Sequence, residues 1–171
     1  MSAKPINSIL FVCLGNICRS PLAEGVLQSV LAERRLAGPI VLDSAATSGW
    51  EVGSAPDPRS IAVAAEHGVD ISGQRARKVR PEDFSRFDLI LGMDRANVRD
   101  LKALAPQAAR DRVHLYLDFA AGKVADVPDP YYDGAEAFAS VYRIIREASE
   151  ALAKRLEATV SPTSGQASST M

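Results

Sequence analysis

VCLGNICRSP, residues 12–21, follows without a break on the apolar run that begins at Ile9. A short apolar stretch that gives way to a glycine-containing loop and then to Ser-Pro has the layout of a buried strand, a tight loop and a helix start. Ser20 is expected to be the N-cap of that helix, with Pro21 at its first position. Such a loop turns successive backbone N–H groups toward one point, where the positive end of the helix dipole adds to them. Leu14, Gly15, Asn16, Ile17, Cys18 and Ser20 are therefore expected to cradle a tetrahedral dianion. Arg19 can close over that anion with a planar, bidentate guanidinium. Cys13 stands at the end of the expected strand, six positions before Arg19. Inward-facing N–H groups, a helix start and an arginine favour its thiolate, aimed at the phosphorus that the loop holds.

The same grammar repeats along the chain. Ser8–Val12 reads as a first strand, and Leu22, Val26, Leu27, Val30 and Leu31 mark the buried face of a helix that ends before Gly38-Pro39. Ile40–Ala45 is a second strand. Asp57 with Pro58 caps a helix that ends at Gly68. Phe87–Leu91 is a third strand, followed by a helix capped by Asp94, carrying Val98, Leu101 and Leu104 and ending at Pro106. Val113–Leu117 has the composition of a fourth strand. A loop rich in Pro, Asp and Gly then runs from Asp118 to Gly134, before an amphipathic helix from about Ala135 to Ala158 with Phe138, Tyr142, Ile145, Ala148 and Leu152 inward.

Short apolar strands alternating with helices imply an α/β fold: a small, doubly wound, four-stranded parallel sheet of order 2-1-3-4 with helices on both faces. Ligands bind beyond the carboxyl ends of such strands where the order reverses, and with this order the loop after strand 1 lies at the switch point. The expected organisation is a flexible N-terminus (1–7), a single domain (8–159) and a disordered tail (160–171) biased to Ser, Thr and Gly.

A net charge of −1 gives no electrostatic footprint for nucleic acid, so an anionic partner has to be recognised locally. No basic-then-apolar leader opens the sequence and no apolar run approaches a membrane span, so a cytoplasmic protein with no membrane partner is expected. The two cysteines, Cys13 and Cys18, both lie in the loop and can make neither a disulfide framework nor a four-ligand zinc site. Their spacing around a tight curve suits a reversible Cys13–Cys18 disulfide that makes the nucleophile redox-sensitive; a small buried hydrophobe is the plainer role for Cys18.

VCLGNICRSP resembles the phosphate-binding loop of the low-molecular-weight protein tyrosine phosphatases. DSAATSGWEVG (residues 43–53), Asp57-Pro58-Arg59, FDLILGMD (residues 87–94) and DPYYDG (residues 129–134) extend the resemblance in the family's order. It implies hydrolysis of protein phosphotyrosine and small aryl phosphates through a phosphocysteine intermediate, with no cofactor and no metal. A thiolate attacking a phosphate ester also needs a proton for the departing oxygen. Asp129, held between Pro128 and Pro130, is the candidate, and the resemblance makes it general acid and then base. Tyr131 and Tyr132 fit the walls of a slot for a phenyl ring, with Trp50 on its rim. Ser20 can donate to the thiolate. Asn16 tolerates left-handed backbone, and the family implies that it braces the loop against Ser44. Asp94 either orients Arg19 or caps its helix. The family often has a histidine near Gly73-Gln74 that supports the loop, and this sequence has none there.

The Arg75–Arg80 run reads as a solvated face or as a surface that draws in phosphorylated substrates, and His67 and His114 as structural residues. Arsenate reductases of similar architecture need further cysteines downstream, and none follows Cys18. Protein arginine phosphatases tend to carry threonine where Ile17 stands and to lack the paired tyrosines; they are the alternative reading. A non-catalytic phosphate-binding module would have lost the nucleophile or the acid. The expected partner is a phosphotyrosine-containing protein, and the expected state a monomer or weak dimer.

Overall fold

The computed structural model describes residues 5–36 and 40–169, with side chains as far as residue 158. Four parallel strands, β1 (Ser8–Cys13), β2 (Val41–Ala46), β3 (Leu89–Gly92) and β4 (Val113–Leu115), form one sheet of order β2-β1-β3-β4, as the alternation of apolar runs and helices predicts. β1 pairs with β2 up to Cys13↔Ala46 and with β3 up to Val12↔Gly92. The first strand is therefore central, and its last residue sits at the switch point.

β1 is apolar throughout because both of its faces are covered. Ile9, Phe11 and Cys13 join the core under α1 (Arg19–Glu33), α2 (Pro58–Glu66), α5 (Tyr116–Ala121) and α6 (Ala135–Ser169). Leu10 and Val12 join Phe84, Phe87 and Leu101 on the opposite face, under α3 (Asp83–Arg86) and α4 (Arg95–Leu104). The period of two along β1 puts the Cys13 side chain on the same face as α1, whose first turn begins just after the loop. The inward stripe of α6 is the expected one, with Phe138, Tyr142, Ile145, Ala148 and Leu152 all buried.

Several elements differ from the sequence reading. Helix α1 begins at Arg19 with Cys18 at the cap position and no side-chain cap, so Ser20 lies inside the first turn. The fourth strand stops at Leu115 and the chain turns into α5, because Tyr116 and Leu117 pack into the core from a helix and Gly122, at φ 71°, closes it. On α4, Leu101 is buried but Leu104 is exposed. Of the N-terminus expected to be flexible (1–7), residues 1–4 lie outside the described residues; at Asn7 the N–H donates to Asp88 and the carbonyl accepts from Val41. Over residues 160–169, expected as part of a disordered tail, α6 continues to Ser169. Residues 170–171 of that tail lie outside the described residues.

Gly25 on α1 is required by close packing. A Cβ there would lie 2.4 Å from Ile71 Cγ2 and 3.2 Å from Val69 Cγ1. Its absence lets the 69–74 segment rest against the helix and brings Gln74 beside the loop.

Candidate active site

The loop after β1 is held open around Cys13 by its own hydrogen bonds. Asn16 adopts a left-handed backbone (φ 59°), a conformation asparagine accepts better than most residues, and its N–H points at Cys13 Sγ from 3.3 Å. Its buried side-chain amide donates to Ser20 Oγ at 2.8 Å and Ser44 Oγ at 3.0 Å and accepts from the Arg77 N–H. The bond to Ser44 is the one the resemblance implies, and Ser20 and Arg77 are two further partners. Ser20 Oγ lies 3.0 Å from Cys13 Sγ, and because it accepts from Asn16 its own proton is free for the sulfur. With no side chain capping α1, the first-turn N–H groups remain for a bound anion.

Arg19 is buried and aimed by three oxygens. Its Nη1 donates to Asp94 Oδ2 at 2.8 Å and to the Val127 carbonyl at 2.9 Å, while Nη2 lies 3.7 Å from Asp129 Oδ2. Burial alone would favour losing its proton, but Cys13, Asp94 and Asp129 more than offset that and hold it as a cation. Asp94 performs both tasks considered from sequence. Oδ2 holds Arg19, and Oδ1 accepts from the Asn97 N–H in a capping box at the start of α4.

Asp129 is exposed, its Oδ1 accepting from the Tyr131 N–H at 3.1 Å. It lines a cavity of about 200 Å³ together with Cys13, Arg19, Ile17 and Cys18. The walls and mouth are Leu14, Gly15, Trp50, Glu51, Tyr131 and Tyr132. Floor and rim contrast sharply: Cys13 and Arg19 are each 3% exposed, Trp50 79% and Tyr132 93%. The two tyrosine rings meet edge to face at 4.9 Å. Cys18 is also buried, and burial first, then the charges of Asp57, Cys13 and Asp129, push its thiol up to about 12. It is protonated at neutral pH and lies beside a sulfur set among N–H and O–H donors. Among the described residues, no group of three or more His, Cys, Asp or Glu is placed to hold a metal.

Four contributors were not assigned from sequence. Gln74 stands near the position where the resemblance has a histidine, its Nε2 donating to the Pro21 carbonyl at 3.0 Å and its Oε1 3.5 Å from Ser44 Oγ. An amide can donate and accept at once, which is the property a loop brace needs. Glu24 on α1 also shares the Ser44 hydroxyl, which has only one proton for the two acceptors. Arg77 belongs to no solvated face: it forks between Asp43 and the buried Asp83. Arg59 joins α2 to the loop that carries Asp129.

A buried cysteine and arginine at the floor of an anion-binding loop, with an aspartate across the cavity, define a site for cysteine-dependent phosphoryl transfer. Comparison with known proteins makes the class more particular. The profile of the family described as low molecular weight phosphotyrosine protein phosphatase matches residues 8–162. A relative of that name from Sus scrofa is 39% identical over 145 residues, 84% of this chain and 91% of its own. The solved structure of a protein tyrosine phosphatase from Entamoeba histolytica, with Hepes in its active site, superposes with a TM-score of 0.84 at 37% identity, covering 88% of this chain and 97% of that one. YwlE of Bacillus subtilis, an arginine phosphatase, shares the fold with a TM-score of 0.82 at 24% identity over 88% of this chain and 99% of its own. The chain belongs to the low molecular weight phosphotyrosine protein phosphatase family and is an enzyme of that cysteine-dependent type.

Proposed function

We propose that the protein hydrolyses phosphotyrosine in phosphoproteins, and small aryl phosphates, through a phosphocysteine intermediate on Cys13. The phosphate dianion enters the loop of residues 14–18, where backbone N–H groups and the Arg19 guanidinium match its oxygens. Cys13 Sγ attacks phosphorus. As the S–P bond forms the P–O bond to the phenol breaks, and Asp129 gives its proton to the departing oxygen. In the second step the Asp129 carboxylate takes a proton from water, the water oxygen attacks phosphorus, and the S–P bond breaks. The proton of Ser20 eases that departure by stabilising the returning thiolate. Asp94 and the Val127 carbonyl keep Arg19 aimed throughout, and Asn16, Ser44 and Gln74 keep the loop open.

The observation that carries the choice of substrate is the depth of the cavity, with Cys13 and Arg19 buried at its floor and Trp50, Tyr131 and Tyr132 around its exposed mouth. A phosphoryl group on tyrosine stands at the end of a long, flat side chain and reaches that floor, while phosphoserine and phosphothreonine fall short. Ile17 adds a hydrocarbon surface that contacts an aromatic ring and gives no hydrogen bond to a guanidinium, and a buried unpaired donor costs about 1–3 kcal/mol. Steady-state kinetics on matched peptides test the reading. kcat/KM for phosphotyrosine is expected well above phosphoarginine and phosphoserine, with a partial shift toward phosphoarginine in Ile17→Thr. Wild-type preference for phosphoarginine would make the arginine phosphatase reading the better one. Cys13→Ser is expected to abolish turnover and EDTA to leave it unchanged. The free thiols suit a reducing, cytoplasmic setting; among the described residues no helix is long and apolar enough to cross a membrane.

A further inference from the structure

We propose that Arg59 is a positioning residue for proton transfer, strapping the loop that carries Asp129 to the phosphate-binding loop; this rests on the reading of Asp129 as proton donor. The first turn of α2 is fastened to the phosphate loop from two sides. The Asp57 N–H donates to the Ile17 carbonyl at 2.8 Å, and Ser60 Oγ to the Cys18 carbonyl at 3.3 Å. Asp57 caps the helix by accepting from the Arg59 N–H and then grips the Arg59 side chain with both oxygens, Nε to Oδ1 at 3.0 Å and Nη2 to Oδ2 at 2.9 Å. The far edge of the same guanidinium donates to the Asp133 carbonyl at 2.8 Å and the Tyr131 carbonyl at 3.0 Å. Its plane lies over Phe138, 4.4 Å from the ring centroid.

A continuous path therefore runs from the phosphate loop at Ile17 through Asp57 and Arg59 to Tyr131, whose N–H holds Asp129 Oδ1. Among the described residues, the hydrogen bonds that tie residues 130–134 to another element are the two from Arg59 and, at the start of α6, that of the Ala137 N–H to the Gly134 carbonyl. On the other side of Asp129 the chain is pinned by the Val127 N–H to the Met93 carbonyl and by Arg19 to the Val127 carbonyl. Released at Arg59, the stretch from Asp129 to Asp133 would be held by hydrogen bonds only at its two ends, at Val127 and at the start of α6, with nothing fixing its middle to α2. Asp57 already offsets the Arg59 charge, so the strap acts through geometry more than through the field at the phosphate. It also needs the planar fork: a lysine ammonium presents one point to two carboxylate oxygens and two carbonyls on opposite sides.

The test is rapid-quench measurement of phosphoenzyme formation from aryl phosphates with a poor and a highly acidic leaving phenol, in Arg59→Met, Arg59→Lys, Asp129→Asn and the two Arg59 variants combined with Asp129→Asn. Arg59→Met is expected to slow the step about 10–100-fold for the poor leaving group. It should barely slow it for the acidic phenol, whose oxygen leaves without a proton. In the Asp129→Asn background neither Arg59 variant is expected to cost anything further. Arg59→Lys should behave like Arg59→Met, and it carries the test if the methionine variant does not fold. In each Arg59 variant, inhibition by inorganic phosphate should match that of the protein with the same residue at position 129, since the phosphate loop is intact. Equal losses for both phenols, the same fold-loss with and without Asp129, or a parent-like Arg59→Lys would each overturn the strap. A parent-like Asp129→Asn on the poor leaving group would instead overturn the proton-donor reading, and the strap with it.

Discussion

Glu24 is an ionisable side chain near the loop whose chemistry the catalytic cycle does not use. Burial pushes its carboxyl up from 4.5 to about 7; the charge of Asp43 adds to that, while the Ser44 hydrogen bond and Arg77 oppose it. A group whose folded pKa is raised contributes stability that is fully present below the unfolded pKa and lost as pH rises through the folded one. The window here runs from about 4.5 to about 7. Glu24→Gln is therefore expected to flatten the fall in stability between pH 5 and pH 8 and to exceed the parent at pH 8 by about 1–3 kcal/mol. Urea unfolding of both proteins at the two pH values measures it, and parallel curves would dismiss the ionised carboxylate as the source. Cys18 offers a second measurement. Its protonated thiol beside Cys13 in one cavity suits a reversible disulfide after mild peroxide. Recovery by dithiothreitol is expected in the parent and to fall in Cys18→Ser; equal recovery would leave Cys18 a packing residue. Asn16 and Cys13 were legible in the sequence because they lie within the signature loop, and Asp94 because it stands as a helix cap directly after an apolar strand. Gln74 and Glu24 were not, since a glutamine or glutamate in isolation has no pattern and only the fold brings them to Ser44.

At the scale of elements, what was legible followed from punctuation. β1, its loop and α1 are bounded by an abrupt change from apolar to Gly-Asn to Ser-Pro, and α2 and α4 by Asp caps whose side chains do accept the expected N–H bonds. Helix α5 escaped because Tyr116 and Leu117 continue the apolar run of β4 with no breaker, and its closing Gly122 falls in a stretch whose Pro, Asp and Gly content reads as loop. The contact between α1 and the 69–74 segment was invisible for another reason: it depends on a missing Cβ at Gly25, 2.4 Å from Ile71 Cγ2. Gly25→Ala gains helix propensity of about 0.8–1.0 kcal/mol and forces the two segments apart, at about 1–3 kcal/mol of overpacking. Net destabilisation is expected, with lowered kcat because Gln74 leaves Ser44. Ile71→Ala added to Gly25→Ala should recover the kcat even where stability stays low. An unaltered midpoint and kcat in Gly25→Ala would show that the segment yields without disturbing the brace.

The site is assembled at the scale of the whole molecule, from the end of β1, the end of β2 with the 47–51 loop, the cap of α2, the end of β3 and the 127–132 loop. Only the first of these is local to the signature loop; topology brings the others to it, because the parallel strands all end on one edge and the order reverses at β1. A ligand that bridges such a site binds the folded state and has nothing to hold in the unfolded one. Inorganic phosphate at 100 times its dissociation constant should therefore stabilise the protein by about 2.7 kcal/mol, or roughly 5–10 °C in Tm for a chain of this size. Arg19→Ala removes the cation that answers the dianion and leaves Asp94 unpaired, so its phosphate-dependent shift is expected to vanish. Asp129→Asn should do the opposite. With Oδ2 only 3.7 Å from Arg19 Nη2, the Asp129 carboxylate competes with the anion for that guanidinium and repels it, so its neutral counterpart is expected to bind phosphate more tightly and shift Tm further. Thermal scans against phosphate concentration in the three proteins decide the matter: a shift retained in Arg19→Ala would place the anion elsewhere on the fold.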